Sequence, residues 1–270
     1  MSNPTSSPIP SSATAENQVP ASDRQDPPVT EPVKGRKKCF VLSLIRHGEV
    51  RPSIFIISNQ FLFKLRLQCR SNVFGHTLEE NDHLTNDGRG QVERLGKDWR
   101  DVHIDALHTS TLERAYETAL AIAKHNQDAN LEVIQSDIYV ERKTGQAVID
   151  AIRGGYKERA ATLYSGIPSG RNGVTPRGYT PPGGGESPNQ VALRAKYSLL
   201  HLLFQYGKEL DEPPKEFVDK IIDSPNVLPE GIPHVVVASH NIFLAELYEV
   251  MYSWNSDHRM TTCNYRNVDW

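Results

Sequence analysis

Cysteine is scarce in this 270-residue chain, and the three present, Cys39, Cys69 and Cys263, are odd in number and far apart. With no CxxC pair and no Cys/His cluster, the chain offers neither a disulfide framework nor a zinc site. A reducing, cytoplasmic setting is therefore expected. No sign of charge dominates, since the formal net charge is −3, and nothing points to nucleic acid or to a membrane surface as partner. No apolar run is long enough to span a bilayer. The most apolar stretch, Ile54 to Leu67, is broken by Ser58, Asn59, Gln60 and Lys64. The first 33 residues lack the apolar core of a secretory signal and are rich in Ser, Pro, Thr, Asp and Glu, so residues 1–37 read as a disordered tail before a domain spanning 38–270. No N-x-[ST] acceptor occurs except with proline at x, which also disfavours secretion.

What is present is an alternation of short apolar runs and amphipathic stretches. The run Cys39 to Ile45 reads as a strand, and Thr85 caps a helix to about Trp99 with Val92, Leu95 and Trp99 on one face. Ala106 to Thr109 reads as a strand, followed by a helix from near Leu112 with Leu112, Ala115, Ala119, Ile122 and Ala123 as its core stripe, and Leu131 to Gln135 as another strand. Residues 145–187 are rich in glycine and proline and read as one long irregular loop, of the kind that caps a substrate site. A long helix carries Ala192, Ala195, Leu199, Leu202 and Leu203. Residues 207–233 read as a polar surface insertion. Val235 to Ala238 is apolar throughout, as in a central parallel strand, and a helix with Leu244, Leu247, Tyr248 and Met251 follows. The pattern predicts a three-layer α/β/α fold around a central, mostly parallel sheet.

Two of these strands end in chemistry, the first in Arg46-His47-Gly48-Glu49 and the last in Ser239-His240-Asn241. In a parallel sheet both histidines open onto the carboxyl edge, where α/β sheets bind ligands. An imidazole can attack phosphorus, and a planar guanidinium can hold two phosphoryl oxygens at once. Arg114 adds a second guanidinium in the first turn of a helix, where backbone N–H groups also favour an anion. Glu141 offers a carboxyl after the third strand-like run. Each residue also has a plainer role open to it: a helix ion pair for Arg114, a solvated charge for Glu141, a core histidine for His240.

Together the RHGE run, Leu84-Thr-Asn-Asp-Gly88 with Gln91 and Leu95-Gly96, the S-x-L-x-R-A-x-x-T-A run from Ser110, the Glu141 segment and Ser239-His240 resemble the histidine phosphatase superfamily, in its phosphoglycerate mutase-like branch. Val140-Glu-Arg-Lys143 with Gly145 and Thr180-Pro-Pro-Gly183 most resemble the TIGAR-type fructose-2,6-bisphosphatases. The resemblance implies a metal-independent phosphomonoesterase with no cofactor, acting on a small phosphorylated metabolite. It implies His47 as nucleophile, Glu141 as general acid and later base, and Arg46, Arg114 and His240 around the phosphate, with Asn72 and Asn241 as further contacts. A mutase that returns the phosphoryl group to product remains the competing chemistry, and an inactive phosphate-binding scaffold the competing class. Oligomeric state is left open.

The pattern departs from the family in three places. Nineteen residues, Val50 to Gln68, separate Glu49 from Cys69-Arg-Ser-Asn72, and excising them restores the spacing RHGExxxN. Two origins fit: an unspliced intron, since Val-Arg and Gln have codons that match common intron borders, or a genuine insertion forming a lid. The string RHGEVRP also approaches the RHGxRxP motif of acid phosphatases but has Val50 where arginine is required, and Asp257-His258 reverses the order of that branch's second motif. Asn241 stands where a small residue often follows the histidine. Asn264 is expected to open a last strand, close to the final Trp270.

Overall fold

Six strands and six helices can be traced in a computed structural model that describes residues 37–48, 82–128, 131–168, 171, 173–211 and 230–258, all within a unit spanning 36–270. The expected tail up to Arg36, the Val50 to Gln68 segment, Asn72 and the strand expected at Asn264 lie outside the described residues. Four strands form a wholly parallel sheet: β2 (Val41–Arg46), β3 (Ala106–Thr109), β4 (Val133–Gln135) and β6 (His234–Ser239), in the order β2-β6-β3-β4. β6 is buried along its whole length because it is apolar on both faces. Val236 and Ala238 join Ile45 and Leu107 on one side, against Leu95 of α1 (Asn86–Asp98) and Ala119 and Ile122 of α2 (Glu113–His125). Val235 and Val237 face the other way, against Val191, Ala195 and Leu202 of α5 (Pro188–Tyr206) and Phe243 and Leu247 of α6 (Asn241–His258). This is the three-layer arrangement that the alternating pattern predicts. Truncating Leu107 or Leu202, both fully buried, to alanine costs about 2–5 kcal/mol.

The helix boundaries follow their local signals. Thr85 caps α1 by accepting the Gly88 N–H at 2.9 Å. Ser187 and Gln190 form a capping box at α5, with Pro188 in the first turn where its missing N–H costs nothing.

Four expectations need correction. The Cys39–Ile45 run is not one strand: the chain breaks at Phe40, and β1 (Lys37–Cys39) pairs antiparallel with β5 (Lys208–Leu210) in a separate small sheet. Lys37 therefore belongs to the folded unit and not to the tail, and the 207–233 stretch begins as a strand. Residues 145–187 are not one irregular loop either, because α3 (Gln146–Arg153) and α4 (Lys157–Ser165) fold there as a hairpin. Val148, Ala151, Ala160 and Tyr164 bury against one another and onto Ile242 of α6. The pair Gly154-Gly155 that separates these helices, and the glycines and prolines that follow, disguise two short amphipathic segments as loop. Among the described residues no helix is long and apolar enough to cross a membrane.

Candidate active site

β2 and β6 run parallel with Arg46 opposite Ser239, so His47 and His240 leave the sheet side by side. Their rings lie 5.1 Å apart, centroid to centroid, tilted by 51°. The His47 N–H extends the ladder to the Ser239 carbonyl at 3.1 Å, and both residues are buried. His47 donates through Nδ1 to the Gly48 carbonyl at 2.7 Å. A carbonyl oxygen only accepts, so the neutral ring carries its proton on Nδ1 and its basic lone pair on Nε2.

Gly48 is required by close approach. A Cβ there would stand 2.8 Å from Val92 Cγ1 and 2.9 Å from the Gly88 carbonyl oxygen. Its N–H donates to Thr118 Oγ1 at 3.2 Å, and that hydroxyl donates to the Arg114 carbonyl at 2.8 Å, which ties the His47 turn to α2. His240 Nε2 lies 2.8 Å from Ser110 Oγ at the end of β3. Ser110 and Thr118 stand inside the S-x-L-x-R-A-x-x-T-A run, and these contacts explain two of its polar positions.

Arg46 is the last residue of β2 and half-buried, whereas Arg114, in the first turn of α2, is 1% exposed. Among the described residues Arg46 Nε and Arg114 Nε and Nη2 make no hydrogen bond, so buried guanidinium donors are left for an anion. Burial pulls the Arg114 pKa down, while Asp82 and Glu141 favour its charge. Asp82 was not legible as a site residue. Its carboxylate accepts from Arg114 Nη1 at 2.5 Å and from the Glu113 N–H at 2.7 Å. At the start of α2 two N–H groups expected to favour an anion are taken within the protein: the Leu112 N–H goes to Ser110 Oγ and the Glu113 N–H to Asp82.

Glu141 lies in an extended segment after a 3-10 turn (Asp137–Tyr139), outside any strand. Its Oε1 accepts from the Arg142 N–H at 2.9 Å and the Phe243 N–H at 3.3 Å, and its Oε2 from the Ile242 N–H at 3.3 Å. The carboxyl therefore sits on the N-terminal turn of α6, which begins one residue after His240. Burial raises its pKa above the ordinary carboxylate range, against these three N–H donors and Arg114. A carboxyl that holds its proton more firmly than one in water is suited to donating it and recovering it.

Arg114 feels the charges of both Glu141 and Arg46, Glu141 rests on the helix turn that follows His240, and the two histidines share the same sheet edge, so five expected residues come together. Asn241, the first residue of α6, is exposed at the same strand end. Asn72 lies outside the described residues. Of the other histidines, His108 is buried 2.9 Å from the Tyr206 hydroxyl, with burial lowering its pKa to about 4, and His83 is exposed beside Glu113. Among the described residues the group able to hold a metal is His83, Glu113 and Glu117, with ligand atoms within 4.8 Å of one another at the surface.

Over these strand ends stands the α3–α4 hairpin. Gly145, at φ +88°, turns into α3, and its missing side chain leaves room for the Pro182 carbonyl oxygen, which a Cβ would meet at 2.5 Å. The Gln146 and Ala147 N–H groups donate to the carbonyls of Gly183 and Pro182. The TPPG run thus closes the start of α3.

The family model of the histidine phosphatase superfamily (branch 1) matches residues 42–210, ending before His240. Fructose-2,6-bisphosphatase TIGAR B of Danio rerio is 28% identical over 215 residues, covering 76% of this chain and 72% of that protein. Among solved structures, a mycobacterial glucosyl-3-phosphoglycerate phosphatase aligns with a TM-score of 0.47 at 20% identity, over 80% of each chain. A phosphoglycerate mutase from Bacillus anthracis str. Sterne aligns with a TM-score of 0.44 at 17% identity, over 80% of this chain and 82% of its own. The family and its curated relative support phosphatase activity on a small phosphorylated substrate. With the matched segment carrying His47, Arg114 and Glu141, and the sheet bringing His240 to the same edge, the chain belongs to the histidine phosphatase superfamily, branch 1.

Proposed function

We propose that the protein is a phosphomonoesterase that works through a phosphohistidine on His47 and needs no metal. The observation that carries this reading is the pairing of His47, its proton held on Nδ1 by the Gly48 carbonyl, with buried arginine donors that have no other partner among the described residues. Nε2 attacks phosphorus in line with the ester oxygen. Arg46, Arg114 and His240 neutralise the charge spread over the phosphoryl oxygens, the role that metal ions fill in other phosphoryl-transfer sites. Glu141 gives its proton to the leaving alkoxide, then takes one from the water that cleaves phosphohistidine. Asn241 and Asn72 contribute polar contacts to the bound phosphate.

The substrate is a small phosphorylated metabolite in a cytoplasmic setting. Fructose-2,6-bisphosphate is favoured by the Val140-Glu-Arg-Lys143 and TPPG motifs and by the activity printed in the name of the Danio rerio relative. Purified protein should release inorganic phosphate from this compound in the presence of EDTA, and His47→Ala should lower turnover by about 10³-fold or more. Retained turnover in that variant overturns the phosphohistidine mechanism. Interconversion of phosphoglycerates without phosphate release would instead make the enzyme a mutase.

A further inference from the structure

We infer that Arg194 and Glu186 are positioning residues for Glu141, fixing the unladdered segment that carries its carboxyl. This rests on the reading of Glu141 as acid and base.

The residues from Val140 to Gly145 belong to no helix or strand, so hydrogen bonds of a regular element do not hold them in place. Side chains, together with the main chain of Glu186, do so instead. Arg194, on α5, grips Glu186 with Nε and Nη2 at 3.0 and 2.7 Å. Its Nη1 donates to the carbonyls of Ile138 and Val140 at 2.8 and 2.7 Å. Four of the five guanidinium N–H donors are thereby used in a fork that lysine cannot reproduce. Glu186 ties the other flank: its carboxylate Oε2 accepts from the Lys143 N–H at 3.4 Å, while its main-chain N–H donates to the Lys143 carbonyl at 2.9 Å and its carbonyl accepts from Arg142 Nε at 2.7 Å. Glu141 is bracketed on both sides.

The same guanidinium stacks on the Phe243 ring at 5.0 Å, and it is the Phe243 N–H that donates to Glu141 Oε1. One side chain thus touches the residue before the acid and the helix turn on which the acid rests. Arg194 and Glu186 are only 16% and 12% exposed, so solvent does little to weaken the pair.

Loosening this clamp should act on proton transfer. Glu141 faces Arg114 from α2, Tyr164 from α4 and the Ile242 and Phe243 N–H groups from α6, besides its neighbour Arg142. Burial is the dominant influence on its protonation, so a freer segment admits water and lets the carboxyl ionise at lower pH. Fewer molecules then carry the proton that the leaving group needs. An alkyl ester such as a sugar phosphate depends on that proton more than p-nitrophenyl phosphate does, because its alkoxide is the more basic leaving group.

Wild type, Arg194→Lys, Glu186→Gln and Glu141→Gln should be compared by thermal melting and by kcat, KM and pH profiles on both esters. Folded Arg194→Lys and Glu186→Gln should lose about 10–100-fold in kcat on the sugar phosphate. KM should stay within about twofold, the loss on p-nitrophenyl phosphate should be clearly smaller, and the alkaline limb of kcat should move to lower pH. Folded variants with the wild-type substrate ratio and limb overturn the inference alone. Failure of both variants to fold would make the pair a structural bridge and overturn the assignment as well. A wild type that hydrolyses neither ester overturns the phosphatase reading and this inference with it.

Discussion

The floor of the site and its proposed acid, Glu141, are built in opposite ways. His47 and His240 stand where two neighbouring parallel strands end, and their spacing is set by backbone register and a continuing ladder bond from His47 to Ser239. Glu141 hangs in a segment without a ladder, held by the α6 N-terminus and by the Arg194–Glu186 clamp. Position set by backbone survives most side-chain changes and fails when main chain is displaced. Position set by side chains fails one residue at a time. The pKa logic follows the same division, because the acid's raised pKa depends on burial that a loose segment would lose.

The largest expected effect is on the acid itself. Glu141→Gln keeps the shape but cannot pass a proton, so kcat on a sugar phosphate should fall by about 10²–10⁴-fold. The alkaline limb, where the wild-type carboxyl ionises, should vanish from the pH–rate profile. A limb that persists at the same pH belongs to another group and removes Glu141 from the role.

On the floor, the first target is Asp82, which pairs with the almost fully buried Arg114 and accepts the Glu113 N–H at the start of α2. Asp82→Ala leaves that guanidinium without its carboxylate and should destabilise the fold by about 3 kcal/mol, read by urea unfolding. It should also raise KM, because Arg114 no longer has one edge pinned by Nη1. Asp82→Asn keeps an acceptor for only one of the two donors, since its amide nitrogen cannot accept, and should lose less of each than the alanine variant. Equal stability in wild type and the alanine variant would mean that solvent or a neighbour replaces the pair.

Gly48→Ala tests the backbone side of the comparison directly. The added methyl meets Val92 and the Gly88 carbonyl, so the turn must shift, at about 1–3 kcal/mol of stability. Because the His47 ring is held by the Gly48 carbonyl, the shift moves the proposed nucleophile, and kcat should drop about 10–100-fold. Unlike a loss at Glu141, this loss should be alike for aryl and alkyl esters. A Gly48→Ala enzyme that discriminates between the esters as Glu141→Gln does would erase the division between floor and acid.

The same division explains what could be read without coordinates. His47 and His240 were legible because each ends an apolar run, and parallel strands bring such ends together. α1, α2 and α5 follow their apolar periodicity, and the Thr85 cap falls where expected. Asp82, Arg194 and Glu186 were not legible as site residues, since each acts on groups far away in sequence, and no local spacing marks such a pair. The α3–α4 hairpin was lost for another reason: its helices are too short to establish a period, and glycines surround them. Glu141 lay between these cases, visible by its motif while its clamp was not.

The smallest effect belongs to the opposite end of the sheet, where β3 and β6 begin. There His103 lies 3.2 Å from Asp105 and 3.1 Å from Asp128, through different ring nitrogens. Burial lowers its pKa, but the two carboxylates outweigh that and raise it above the ordinary histidine value. The stabilisation is therefore fully present below the unfolded pKa of about 6.5 and is lost as pH rises through the higher folded value. All three side chains are more than a third exposed, so solvent screening holds the contribution to about 0.2–1 kcal/mol. Urea unfolding of wild type and His103→Gln across that range should show a stability gap that closes as pH rises, with kcat unchanged at every pH. A gap that stays constant with pH would assign the contribution to neutral hydrogen bonds, and a change in kcat would couple this end of the sheet to the histidines at the other.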